Sequence, residues 1–181
     1  TYTIDFSDTV ISKSLYMIGA FEYYNMNDVL NFFVKNKTVS SHPVVIDIGA
    51  HIGVTSIAMI RSGMIKQAIA IEPAPQNVAL LEKNITLNKL EEQITYLPYA
   101  VSDTDGQLCF ELSEDNFGDH RVRSSEPLNG EDNLFHEGTR QTIQVESRRL
   151  DTIVADLPPS VRADISLIWI DVQGAEGLVF S

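Results

Sequence analysis

The chain has 181 residues, 44% of them apolar and 21% charged, which is ordinary for a globular protein and enough for one domain with a real core. Thirteen basic residues against 25 acidic ones give a net charge of −12, which argues against a nucleic-acid backbone or an anionic membrane as partner. One cysteine, Cys109, rules out an internal disulfide framework or a multi-cysteine zinc site, and no apolar run approaches the roughly 18 residues of a transmembrane helix.

The N-terminus shows no basic-then-apolar leader and does not begin with Met, so a trimmed, cytoplasmic chain is expected. The sequons at Asn36 and Asn84 are then chance matches. Residues 1–24 are rich in aromatic and aliphatic side chains (Tyr2, Phe6, Ile11, Leu15, Phe21) and are expected to pack on the rest of the chain. Asn27 is a candidate N-cap for a helix with the stripe Val29, Leu30, Phe33 and Val34, ending near Asn36. After a polar connector, residues 1–42 read as an N-terminal extension leading into a main domain over 43–181.

That domain opens with Val44-Val45-Ile46-Asp47-Ile48-Gly49-Ala50-His51-Ile52-Gly53. The apolar run predicts a strand covered on both faces. Gly49 and Gly53 provide a tight turn, and Val54, Ile57 and Ala58 take up helical spacing until Gly63. A helix N-terminus beside a glycine loop leaves N–H groups for a ligand. A second strand, Ala68 to Ile71, ends in Glu72, nineteen positions after Gly53, where a carboxylate can accept both hydroxyls of a ribose. The dinucleotide fingerprint G-x-G-x-x-G fails here: counted from Gly49, His51 and Val54 stand at the second and third glycines. A histidine there obstructs a pyrophosphate. A nucleoside cofactor without phosphate fits better, and D-x-G-x-x-x-G resembles the first motif of class I methyltransferases, which bind S-adenosylmethionine. Asp47 would hold the cofactor's ammonium end or order the water around it.

Pro73 and Pro75 open a helix with buried positions Val78, Leu81 and Ile85, stopping near Asn88. A third strand covers Ile94 to Leu97. Asp103 to Gly106 is a turn, Gln107 to Leu112 alternates as an added strand with Cys109 in its core, and Gln141 to Val145 is its candidate partner. Ser113 to Arg140 lacks periodicity and is expected to be a lid-like loop carrying Asp119-His120-Arg121. A short helix over Leu150, Ile153, Val154 and Leu157 ends at Pro158-Pro159. Ile165 to Ile170 has the apolar run of a central parallel strand and leads into Asp171-Val172-Gln173-Gly174-Ala175-Glu176.

Five pieces in order, Val45 to Gly53, Ala70-Ile71-Glu72-Pro73, Ala100-Val101-Ser102-Asp103, Arg149-Leu150-Asp151 and Ile170 to Glu176, resemble the FkbM family of methyltransferases. The resemblance implies an α/β, Rossmann-like class I sheet with helices on both faces. It implies methyl transfer from S-adenosylmethionine to a hydroxyl of a sugar or small natural product. Asp47, Gly49, His51, Gly53, Glu72, Asn77, Ala100 and Asp171 would contact the cofactor. Only four core strands can be counted, fewer than such a sheet ordinarily carries, so the chain is expected to be a fragment lacking C-terminal strands.

A hydroxyl acceptor must lose its proton. Asp171, at the carboxyl end of a strand, is the first candidate base, and His120, which titrates near neutrality, the second. Asp119, Arg121 and Glu176 are candidates to meet the acceptor. No recognised metal-ligand spacing is present, so no metal is expected. The competing readings are a silent binding module on the same fold and a nucleotide-cofactor oxidoreductase. Neither nucleic acid nor membrane is expected as partner, and oligomeric state is left open.

Overall fold

The computed structural model describes residues 1–21, 23–36, 40, 42–123 and 140–181. Strand β1 (Val44–Ile48) lies inside a parallel four-stranded sheet of order β3-β2-β1-β8, with β2 at Gln67–Ile71, β3 at Ile94–Leu97 and β8 at Ile165–Ile170. β1 runs in register with β2 from Val44↔Gln67 to Ile48↔Ile71. Every residue of β1 is buried, which is why its sequence does not alternate.

Period-two geometry sends successive side chains to opposite faces. On one face Val45, Ala68 and Ala70 pack under helices α2 (Tyr23–Lys35), α3 (Val54–Arg61) and α4 (Pro75–Asn88), through Leu30, Ile57, Leu81 and Ile85. On the other, Val44, Ile46, Ile48, Ile69 and Ile71 meet Leu150 and Ile153 of α5 (Leu150–Asp156) and Val161 of α6 (Pro159–Ala163). Fully burying side chains such as Ile57 or Leu81 contributes roughly 1.5–3 kcal/mol each. Gly53, with φ +86°, is needed for this packing: a Cβ there would sit 2.6 Å from Leu81 Cδ1.

A second, mixed sheet of order β4-β7-β5-β6 is inserted after β3, with β4 at Ala100–Val101, β5 at Gly106–Leu112, β6 at Arg121–Val122 and β7 at Gln141–Arg148. β5 and β7 pair antiparallel from Gly106↔Ser147 to Leu112↔Gln141, the partnership their alternation implied. The segment between them is not one featureless loop. Phe117–Asp119 form a 3₁₀ turn and β6 pairs with the end of β5, while residues 124–139 of the expected lid lie outside the described residues.

Four further expectations need correction. β8 is not central: it stands at the sheet edge among the described residues, with Ile168 39% exposed, so its apolar run is only half covered. Asn27 caps nothing, because α2 begins at Tyr23 and carries Asn27 inside it. Pro159 starts α6 instead of only stopping α5, its missing N–H being harmless at a first helical position. Cys109 is only half-buried, since β5 has one face on the core.

The N-terminal segment is tied to α4 by reciprocal hydrogen bonds. Thr3 N donates to Asn84 Oδ1 at 2.6 Å, and Asn84 Nδ2 donates to Thr3 O and Ile52 O. Asn84 is thereby fully buried inside a helix, a placement that denies its sequon to glycosylation in the folded chain. Helix α1 (Ile11–Ile18) is held at its start by Asp8, whose carboxylate accepts from Val10 N, Ile11 N and Ser12 N. Among the N-terminal aromatics, Tyr2 packs into the core, but Phe6 and Tyr16 are exposed and lean on each other edge to face. No described helix is long and apolar enough to cross a membrane.

Candidate functional site

The carboxyl ends of β1, β2 and β8 open into a cleft of about 620 Å³ measured out to its mouth. Its floor is Ile48, Gly49 and His51 from the turn after β1, with Ile71 and Glu72 from the tip of β2. Asp171 and Val172 close the β8 side, and Ala100 and Phe110 of the second sheet, with His120 just before β6, form the far wall. Ile11 of α1 roofs it, packed so closely on Gly118 that a Cβ there would sit 2.6 Å from Ile11 Cδ1. Thr9 N and Oγ1 both donate to Asp115 O at 2.8 Å, fastening this roof to the segment after β5.

The turn after β1 is fitted to its neighbours. Asp171 N donates to Ile48 O at 2.9 Å, and a Cβ on Gly49 would lie 2.0 Å from Asp171 O. Gly49 N and Ala50 N both donate to Ile71 O, His51 N to Glu72 Oε2, and Gly53 N to Ala50 O. Four N–H groups of the turn leading into α3 are therefore already engaged. A pyrophosphate would find few donors here, in keeping with the histidine that breaks the dinucleotide fingerprint.

Glu72 is 5% exposed and central to the site. Its Oε2 accepts from His51 N at 2.9 Å, and its Oε1 from Ala74 N at 2.9 Å and Asn77 Nδ2 at 3.3 Å. Oε1 thus has two internal donors and Oε2 one, so the remaining acceptor capacity lies on Oε2. Burial pushes its carboxyl up to about 7, against the pull of those three donors. Asn77 also donates to Phe117 O, bracing the second sheet, while its buried Oδ1 has no partner among the described residues.

Three of the expected cofactor residues, Asp47, Gly53 and Asn77, stand behind the cleft. Asp47 is buried under the turn, accepting from Ser56 Oγ at 2.6 Å, and burial raises it to about 6. Its carboxylate joins β1 to α3 instead of facing the cleft. Gly53 serves the contact with Leu81. Gly49, His51, Glu72, Ala100 and Asp171 do line the cleft.

His120 is buried. Its Nδ1 accepts the Ser113 N–H at 2.9 Å, so the neutral ring carries its proton on Nε2, which faces the Gln76 side-chain amide at 3.5 Å. Burial, with the Arg140 charge, lowers it to about 4. No lone pair on this ring is open to take a proton, which argues against the role of base. Asp119 is gripped by Arg121 at 2.7 Å and Arg140 at 2.6 Å and lies off the cleft with Arg121. These charges shape the wall through His120 without reaching the space inside.

Asp171 is exposed at the cleft rim, accepts from Gln173 Nε2, and is held above the ordinary carboxylate range by partial burial. Glu176 lies on α7 (Glu176–Val179), away from the cleft, accepting from Gly174 N. Ile11, Phe110 and Phe117 were not singled out from sequence. Phe110 belongs to the buried alternation of β5, a usable signal, whereas nothing local marks Ile11 as part of a distant wall. Among the described residues no cluster of His, Cys, Asp and Glu could hold a metal ion.

Residues 47–181 match the family model of the methyltransferase FkbM domain. The chain is 26% identical over 155 residues to the methyltransferase sdnD of Sordaria araneosa, a match covering 75% of this chain and 58% of that protein. The chain thus spans a little over half the length of that relative. Two solved structures resemble it over smaller stretches. A putative transferase from Pyrococcus horikoshii is 25% identical over 55% of this chain and 32% of its own, with a TM-score of 0.40. The tRNA m1G37 methyltransferase of M. jannaschii is 36% identical over 40% of this chain and 20% of its own, with a TM-score of 0.31.

Proposed function

The chain belongs to the FkbM family of methyltransferases, and from that membership we propose that it binds S-adenosylmethionine in the cleft above β1 and β2 and serves O-methylation of a sugar or small natural product in the cytoplasm. The observation that carries the cofactor reading is Glu72: a buried carboxylate at the tip of the second strand, facing the cleft, beside a glycine turn whose N–H groups are engaged internally. That combination suits a nucleoside without a pyrophosphate. Apolar walls at Ile71, Ala100 and Phe110 suit a purine face, and the orphaned ring of His51 leaves polar capacity for a ligand to satisfy.

Glu72, Gly49, His51, Ala100 and Asp171 would touch the cofactor, while Asp47, Gly53 and Asn77 hold them in place from behind. When bound, the cofactor supplies a methyl group already activated on a sulfonium sulfur. The chain must align an acceptor oxygen with it, and such positioning supplies roughly 7–11 kcal/mol in well-oriented cases. Asp171 takes the hydroxyl proton on its carboxylate, a contribution of about 10²–10⁴-fold. His120, with its Nδ1 engaged, shapes the acceptor side, and Asp119 and Arg121 fix that wall.

Calorimetry with S-adenosylmethionine, S-adenosylhomocysteine and NAD tests the cofactor. Tight binding of the first two and none of the third is expected, and the reverse order would overturn the reading. A methyl-transfer screen over glycans, hydroxylated metabolites and unmodified tRNA then names the acceptor. Transfer to tRNA alone would overturn the small-hydroxyl acceptor.

A further inference from the structure

Asn77 stands in the first turn of α4, 1% exposed, between the carboxylate of Glu72 and the segment that carries His120. Its Nδ2 directs its two hydrogens at two oxygens, Glu72 Oε1 at 3.3 Å and Phe117 O at 3.2 Å. That pair orients the amide, because a flipped Asn77 would set its own oxygen against two acceptors. Its Oδ1 is buried without a partner among the described residues, so no bond on the oxygen side holds the amide when either acceptor moves. Of the three donors on Glu72, only Asn77 also reaches the turn between β5 and β6. In that turn Gly118 N donates to Asn116 Oδ1 and Asp119 N to Asn116 O. Ile11 of the roof packs on Gly118, and His120 leads directly from the turn into the far wall.

We infer that Asn77 is a positioning residue that couples occupancy of the cleft to the acceptor-side wall: a ligand on Glu72 fixes the amide, the amide holds Phe117 O, and the turn ahead of His120 becomes ordered. The inference rests on the proposed function in placing the cofactor against Glu72. A ligand hydroxyl donating to Oε2 favours the ionised carboxylate, and an ionised acceptor makes the Asn77 bond charge-assisted and roughly twice as strong. The amide is then drawn to one orientation, which keeps its second hydrogen on Phe117 O. The wall is thus completed once the cofactor is seated, and the acceptor binds second.

The test is amide hydrogen exchange with and without saturating S-adenosylhomocysteine, with calorimetry on the same samples. It is run on wild type, on Asn77→Leu, which keeps a branched side chain and removes both hydrogen bonds, and on Asn77→Ser, whose single hydroxyl hydrogen cannot serve both oxygens. In wild type the ligand is expected to slow exchange at Gly118 and Asp119 about tenfold, the worth of one hydrogen bond. In both variants that slowing disappears, while slowing at Gly49 and Ala50 persists and affinity falls by less than about tenfold. A residue that merely supported the turn would change its exchange equally with and without ligand. Equal slowing at Gly118 and Asp119 in wild type and a folded variant would overturn the coupling, and so would binding to wild type with no slowing there. In either case the cofactor reading stands. Should neither variant fold, wild type saturated with the 2′,3′-dideoxy analogue decides: it has no hydroxyl to donate to Glu72, so slowing at the turn equal to that of the parent overturns the route through the carboxylate. Failure of S-adenosylhomocysteine to bind wild type overturns the cofactor reading and the coupling with it.

Discussion

The His51 N–H donates to Glu72 Oε2 at 2.9 Å, joining the turn after β1 to the tip of β2. The carboxylate assigned to the ligand is therefore also a structural tie, with Ala74 N and Asn77 as its other donors. Glu72→Ala should weaken S-adenosylmethionine binding about ten- to a hundredfold and also lower stability by roughly 1–3 kcal/mol, because buried donors lose their acceptor. Calorimetry and thermal melting, run together, separate the two effects. Unchanged affinity would remove Glu72 from the site.

Opposed buried charges make stability depend on pH in a way single variants expose. Glu72, raised to about 7, binds its proton more tightly in the folded chain, so its contribution is present below about 4.5 and is lost as pH climbs to about 7. His51 and His120, lowered to about 4, act the other way: their contribution is present above about 6.5 and is lost as pH falls to about 4. Relative to wild type, Glu72→Gln should gain a few kcal/mol of stability as pH rises from about 4.5 to 7, at about 1.4 kcal/mol for each tenfold difference in proton affinity between the folded and unfolded chain. His120→Gln should instead fall behind wild type as pH rises from about 4 to 6.5. Denaturant midpoints across pH check both signs.

Asp171→Asn keeps size and polarity but cannot accept a proton. Methyl transfer should fall by about 10²-fold or more while cofactor affinity stays near wild type. His120→Gln should leave the pH dependence of transfer between about 6 and 8 unchanged, since its Nδ1 is already engaged by Ser113. A shifted pH profile in the His120 variant, with Asp171→Asn still fully active, would exchange the two roles.

Gly49→Ala places a Cβ 2.0 Å from Asp171 O at φ +87°. The end of β8 would have to move, and a loss above about 3 kcal/mol is expected. Gly63, at φ +77° with nothing within 4 Å, is the control, and its alanine variant should cost only about 1–2 kcal/mol. Similar losses for the two in urea unfolding would show that close approach is not what Gly49 provides.

Ile11 covers the cleft through a segment fastened mainly by Thr9 to Asp115. Amides of Thr9 to Ser12 should exchange faster than those of β1 in the free chain, then slow on saturation with S-adenosylhomocysteine. Exchange unaffected by the ligand would mean that the roof does not respond to the cleft.

The sequence by itself determined the nucleotide-type βαβ unit, because its signals are local. An apolar run buried on both faces, two glycines at a turn and an acidic residue at the next strand's tip are all set by short-range spacing. The boundaries of α4 and the pairing of β5 with β7 were legible for the same reason: helix stripes and strand alternation repeat along one segment. The roles of the polar residues were not legible, because they depend on what arrives from elsewhere in the chain. Asp47 lies behind the cleft because Ser56 takes its carboxylate. His120 has its Nδ1 taken by the Ser113 N–H, and Asp119 meets Arg140 across 21 positions. Ile11 joins the wall only when the first helix packs onto Gly118. β8 reads as central from its apolar run, but strand order is a matter of long-range pairing, and it is the neighbour on the far side that decides whether such a strand is covered.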